Sequence, residues 1–109
     1  MTQIKANEPI LTFINVFKVE PENQERVVEL LTQVTESSVK FTPGFISCAL
    51  HKSTDGTKVT MYAQWQSLEL YQAMRDDPRP LPFFKEALTM ATFESGMYEV
   101  VKTFDYTKE

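Results

Sequence analysis

The sequence predicts an α+β domain whose segments run strand, helix, strand, strand, helix, strand. Three observations predict it. Residues 58–65 carry Val, Thr, Met, Tyr and Trp with no Gly or Pro, which is strand composition. Asp55-Gly56 stands between this run and a second apolar stretch over 44–53, the signal of an antiparallel hairpin. Before the hairpin, Val27, Leu30, Leu31, Val34, Ser38 and Phe41 recur at helical spacing, so a helix separates it from the first strand.

Residues 1–9 are polar, end at Pro9 and read as a loose arm, leaving 10–109 as a single domain. The first strand is residues 10–19, with Leu11, Phe13, Asn15, Phe17 and Val19 on one face and Ile10, Thr12, Ile14, Val16 and Lys18 on the other. Both faces are apolar in the middle, which marks a central strand covered on both sides. Asn15 is the anomaly: an amide between Phe13 and Phe17 must find hydrogen-bond partners or cost about 1–3 kcal/mol.

Pro21 opens the first helix, with Glu22 and Glu25 where the dipole favours acids, and Pro43-Gly44 closes it. If the hairpin loop is the two residues Asp55 and Gly56, Leu50 faces Met61, Cys48 faces Ala63 and Ile46 faces Trp65 on an apolar side. The other side carries Phe45, Ser47, Ala49 and His51 against Thr60, Tyr62 and Gln64. Ser67 caps a short helix running to Met74, with Leu68 and Tyr71 turned inward. Residues 76–82, with three prolines, read as a rigid loop, and a second helical piece is expected over 83–92. Residues 97–106 read as the last strand.

The compact solution for this order is a ferredoxin-like fold, a four-stranded antiparallel sheet with both helical layers on one face. Helices can cover only that face, so the apolar outer face of the first strand implies a second copy and a homodimer. At 109 residues and a net charge of −4 the chain has room for one core and no basic footprint for nucleic acid. The lone Cys48 excludes an internal disulfide and a multi-cysteine metal site, and reads as a small buried hydrophobe. No apolar run approaches the ~18 residues of a membrane span, and the start lacks a signal-peptide core, so a soluble cytoplasmic protein is expected.

The runs INVFKVEPENQERVVELL and TPGFISCALHKSTDGTKVTMYAQWQSLELYQA carry more than pattern. The first strand with Asn-Val-Phe followed by Pro-Glu, the Pro-Gly-Phe before the second strand, the Asp-Gly hairpin and the Tyr-Ala-Gln-Trp-x-Ser ending the third resemble the antibiotic biosynthesis monooxygenase family. The resemblance covers about the first two thirds of the chain. It implies a dimeric α+β barrel and an enzyme that inserts one atom of O2 into a phenol, anthrone or quinol with no flavin, metal or haem. It also implies a pocket between sheet and helices, with Asn15 and Trp65 as its catalytic residues and Tyr71 in its wall. Met61, Leu50, Phe83 and Phe84 are the further expected substrate contacts. Many relatives of this pattern carry Asn four residues before the tryptophan, and here that position is Met61.

A deprotonated phenol or quinol is its own electron donor, so the protein must bind it flat, favour the anion and hold O2 beside the ring in a dry site. Asn15 can donate to the phenolate, and Trp65 can stack on the ring and donate its indole N–H. Arg79 in the proline-rich loop is a candidate gate for anions. Against these readings, Trp65, Tyr71 and the phenylalanines can be ordinary core, and Asn15 can satisfy a neighbouring backbone group. His51 falls on the face opposite Trp65. The rival functions are a haem-degrading relative, a non-catalytic dimer that binds an aromatic molecule, and a polyketide cyclase. Leu88 stands where the first of these would need a histidine for iron.

Overall fold

The computed structural model describes residues 2–108, and its nine elements follow from local chemistry. Strand β1 (Leu11–Val19) is followed by a 3-10 turn (Pro21–Asn23) and helix α1 (Gln24–Ser37). A second 3-10 turn (Val39–Phe41) leads to the hairpin of β2 (Phe45–Lys52) and β3 (Lys58–Trp65). Helices α2 (Leu68–Arg75) and α3 (Leu81–Ala87) precede β4 (Ala91–Tyr98). The sheet order is β2-β3-β1-β4 with every pair antiparallel, the ferredoxin-like α+β arrangement expected from the sequence. Among the described residues, no helix is long and apolar enough to cross a membrane.

One face of the sheet is covered by helices and holds the core. Phe13, Phe17, Val19, Val59, Met61, Ala63 and Trp65 are buried against Val27, Leu31 and Val34 of α1 and Tyr71 and Met74 of α2. Gln24 is a buried polar residue that ties the start of α1 to the hairpin, because its Nε2 donates to the carbonyls of Ser53 and Lys58, both at 3.0 Å. On the outer face Gln64 is buried between the Ser47 hydroxyl, which donates to its Oε1, and the carbonyl of Gln3, which accepts from its Nε2. The N-terminal arm therefore lies over the sheet at this point.

The structure corrects several details. Helix α1 ends at Ser37 because the Ser37 and Ser38 hydroxyls bond back to the carbonyls of Gln33 and Val34, and the chain tightens into a 3-10 turn. Phe41 is consequently 71% exposed, and Val39 takes the inward position. In β2 a bulge between Phe45 and Ser47 adds a residue, so Phe45 pairs with Trp65 and Ile46 turns outward. The turn is longer than two residues: only Gly56 has a positive φ, of 82°, while the Asp55 carboxylate accepts from Thr57 N–H, Thr57 Oγ1 and Ser53 Oγ. Leu50 opposite Met61 and Cys48 opposite Ala63 are as expected.

The last third of the chain departs most from the sequence reading. Helix α3 begins inside the proline-rich segment, at Leu81, since proline is tolerated in a first helical turn. The final strand is Ala91–Tyr98 rather than 97–106. Its register on β1 runs from Val19 opposite Ala91 to Thr12 opposite Tyr98, so β1 is used up there. Residues 99–108 have no strand left to pair with and form no regular structure.

Candidate functional site

The site starts from alternation along β1 and β3. Asn15 pairs with Met61 on β3, and Leu11 pairs with Trp65, so Asn15, Met61, Ala63 and Trp65 all point to the helix-covered side. Helices α2 and α3 do not close fully over this surface. A cavity of about 230 Å³ remains between sheet and helices, lined by Asn15, Phe17, Cys48, Met61, Ala63 and Trp65 from the sheet. Tyr71, Met74, Arg75, Leu81, Phe84, Lys85 and Leu88 line it from α2, α3 and the residue that follows α3. Its floor and walls are apolar, with few polar groups, the composition of a small-molecule site.

Trp65 is 1% exposed and is held edge-on by Phe45, with ring centroids 5.5 Å apart, and by Tyr71 at 5.6 Å. Tyr71 is fixed in turn by stacking on Phe13 at 3.8 Å. No hydrogen bond from the Trp65 indole N–H is found among the described residues. Asn15 is 8% exposed, and its Oδ1 accepts from the Ser95 hydroxyl on β4 at 2.8 Å. With the carbonyl oxygen so engaged, the amide N–H2 is the end left to meet a ligand.

Cys48 also faces the cavity, and burial pushes its thiol up to about 11. It is therefore protonated at neutral pH and is a wall group rather than a nucleophile. Asp77 lies at the mouth, where hydrogen bonds from Arg79 hold its carboxyl below the usual range. Arg79 is thus engaged by Asp77, through Nε to Oδ2 at 2.9 Å, and does not line the cavity. Arg75, and not Arg79, is the arginine that lines the cavity.

Of the expected site residues, Asn15, Trp65, Tyr71, Met61 and Phe84 line one cavity. Leu50 packs instead in the core beside Phe17 and Val59, and Phe83 packs against the cluster around Trp65 without lining the cavity. His51 pairs with Thr60 on the outer face and is exposed. Ser95 and Arg75 were not singled out from the sequence. Ser95 was hidden by the misplaced last strand, and Arg75 gave no signal beyond a cation in a last helical turn.

Comparison with known proteins agrees with this architecture. The sequence profile of the antibiotic biosynthesis monooxygenase family matches residues 10–83. A tetracenomycin-F1 monooxygenase from Streptomyces glaucescens is 37% identical over 107 residues, covering 98% of this chain and 96% of that one. The crystal structure of a monooxygenase from the gene ActVA-Orf6 of Streptomyces coelicolor, in complex with nanaomycin D, superposes with a TM-score of 0.79. It is 28% identical, over 93% of this chain and 97% of that one. SnoaB, a cofactor-independent oxygenase from Streptomyces nogalater, shares the fold with a TM-score of 0.72 at 22% identity, covering 89% of this chain and 98% of its own. The shared frame is the α+β fold, and this chain belongs to the antibiotic biosynthesis monooxygenase family.

Proposed function

We propose that this protein is a cofactor-independent monooxygenase that uses O2 to oxidise an aromatic polyketide-type substrate such as an anthrone, phenol or quinol, working as a cytoplasmic homodimer. The observation that carries the reading is the convergence of Asn15 and Trp65 on one apolar cavity. The names of the relatives support it: one is a monooxygenase named for tetracenomycin F1, another a monooxygenase bound to nanaomycin D.

For an anthrone the balance is simple. Loss of a ring-methylene proton leaves a carbanion whose negative charge is shared with the ring oxygen. This anion gives electrons to O2, a C–O bond forms, and the O–O bond then breaks. The second methylene proton leaves carbon as the O–O bond breaks, so one oxygen atom stays on carbon as the new carbonyl and the other leaves as hydroxide, which takes up the first proton to give water. The protein's share is to favour the anion and to keep bulk water away. Asn15, with Oδ1 tied to Ser95, presents its N–H2 to the substrate oxygen where charge gathers. Trp65 provides an apolar edge and an indole N–H donor. The Phe13–Tyr71 stack and Phe45 keep the indole from turning.

The test is O2 uptake by chelator-treated protein with a panel of quinols, anthrones and catechols, beside Asn15→Ala and Trp65→Phe. Uptake is expected to survive chelation and to fall about 100-fold in Asn15→Ala, the scale of losing one donor to a developing oxyanion. Uptake that vanishes on chelation, or is unchanged in both variants, sinks the proposal. Binding without uptake, seen as a ligand-dependent rise in melting temperature, instead assigns a binding protein on this scaffold, with Met61 as an apolar wall.

A further inference from the structure

The chain has three arginines. Arg26 is paired with Glu29 and Glu86, and Arg79 with Asp77. Arg75 has no carboxylate partner among the described residues, although it sits at the cavity. It ends helix α2, and its side chain is held by Tyr71 alone: Nη1 donates to Oη at 3.4 Å, and the guanidinium lies 5.9 Å from the ring centroid. Tyr71 is itself locked by Phe13 and Trp65, so the cation is placed on a rigid aromatic support. Arg75 lines both the cavity and an open groove on the far side of Tyr71, so it stands at their common wall.

The surroundings make this charge conspicuous. Asp77, the acid at the cavity mouth, is bound by Arg79, and Lys85 adds a second cation without a carboxylate partner among the described residues. Asp76 lines the groove side and not the cavity. The rim is otherwise apolar, with Leu81 and Leu88 exposed beside it. A local positive site at an apolar mouth, on a chain of net charge −4, selects a flat apolar molecule with an acid at one end.

Resting on the reading of this cavity as the substrate site, we infer that Arg75 is a specificity residue which binds a carboxylate on the aromatic substrate, remote from the ring carbon that is oxidised. A guanidinium offers two parallel N–H donors, which suit a carboxylate better than a hydroxyl. The carboxylate fixes which end of the polycycle enters first, so that the carbon to be oxidised, and not the acid, reaches Asn15 and Trp65.

The experiment is equilibrium binding read by quenching of Trp65, the one tryptophan in the chain, which needs no turnover. The probes are rhein and chrysophanol, dihydroxyanthraquinones that differ in a carboxylate against a methyl group. Wild type is expected to bind rhein more tightly than chrysophanol, and added salt to weaken only rhein. Arg75→Gln is expected to weaken rhein about tenfold and chrysophanol less than twofold, with Arg75→Lys between wild type and Arg75→Gln for rhein. Equal losses for both compounds, or an unchanged preference in Arg75→Gln, overturn the inference. Quenching by neither compound in wild type also overturns the inference. An absence of O2 uptake with selective rhein binding intact sinks the oxygenase reading and leaves this inference standing.

Discussion

At the scale of single residues, the site rests on two polar groups placed in apolar company. Asn15 was legible from sequence because an amide between two phenylalanines has no packing reason to be there. Its partner Ser95 was not legible, because a serine on an edge strand looks like any solvated residue until the strand is placed. The pair makes a prediction: Ser95→Ala should lower kcat about tenfold or less, by letting the Asn15 amide turn, and should leave the fold intact. Circular dichroism beside steady-state kinetics checks it, and a loss as large as that of Asn15→Ala would mean that Ser95 itself touches substrate. Cys48 gives a second prediction. An unfolded thiol ionises near 9 and the buried one near 11, so between these values the unfolded state holds fewer protons. Stability contributed by this group is complete below pH 9 and declines as pH rises toward 11. Denaturant titrations of wild type and Cys48→Ala should show a steeper alkaline loss for wild type, and parallel curves would refute the assignment.

At the scale of elements, the first helix and the hairpin were readable because their signals are local. The stripe of α1 and the Asp-Gly turn each need only a few neighbouring residues. The bulge at Ile46 and the position of β4 depend on what the strands pair with, and no local propensity encodes that. Residues 97–106 have better strand composition than 91–98, which include Glu94, Ser95 and Gly96, yet 91–98 is the run that pairs with β1. The turn itself can be tested through Asp55, whose carboxyl is lowered to about 2 by hydrogen bonds from Thr57 and Ser53. Stability from this group is present above about pH 4 and is lost as pH falls toward 2, so acid should destabilise wild type more steeply than Asp55→Ala. Gly44 is the stricter joint. Its φ is +92°, and a Cβ there would meet the Leu70 Cβ at 2.5 Å, so Gly44→Ala must both strain the backbone and lift α2. A cost of about 2 kcal/mol or more is expected, exceeding that of Gly56→Ala, where the nearest atom is 3.2 Å away. Chemical denaturation of the two variants decides it.

At the scale of the whole molecule, the sequence called for a second copy on the outer face of the sheet, and the structure shows what such a partner would meet. Ile14 and Val16 are only half-buried there. Phe104 and Tyr106, on the segment after β4, are 82% and 91% exposed. Sedimentation should therefore give a dimer, and Ile14→Lys should give a monomer with an unchanged far-ultraviolet spectrum. A monomeric wild type would remove the homodimer from the proposal. The Asn15–Ser95 contact joins positions 80 residues apart, and β4 is the last strand of the sheet. Every other residue that lines the cavity, Phe93 excepted, lies at or before position 88. The contact that orients the Asn15 amide is thus the last part of the cavity to be synthesised. A truncation that removes β4 therefore takes away Ser95 and Phe93 while leaving every other lining residue in the sequence.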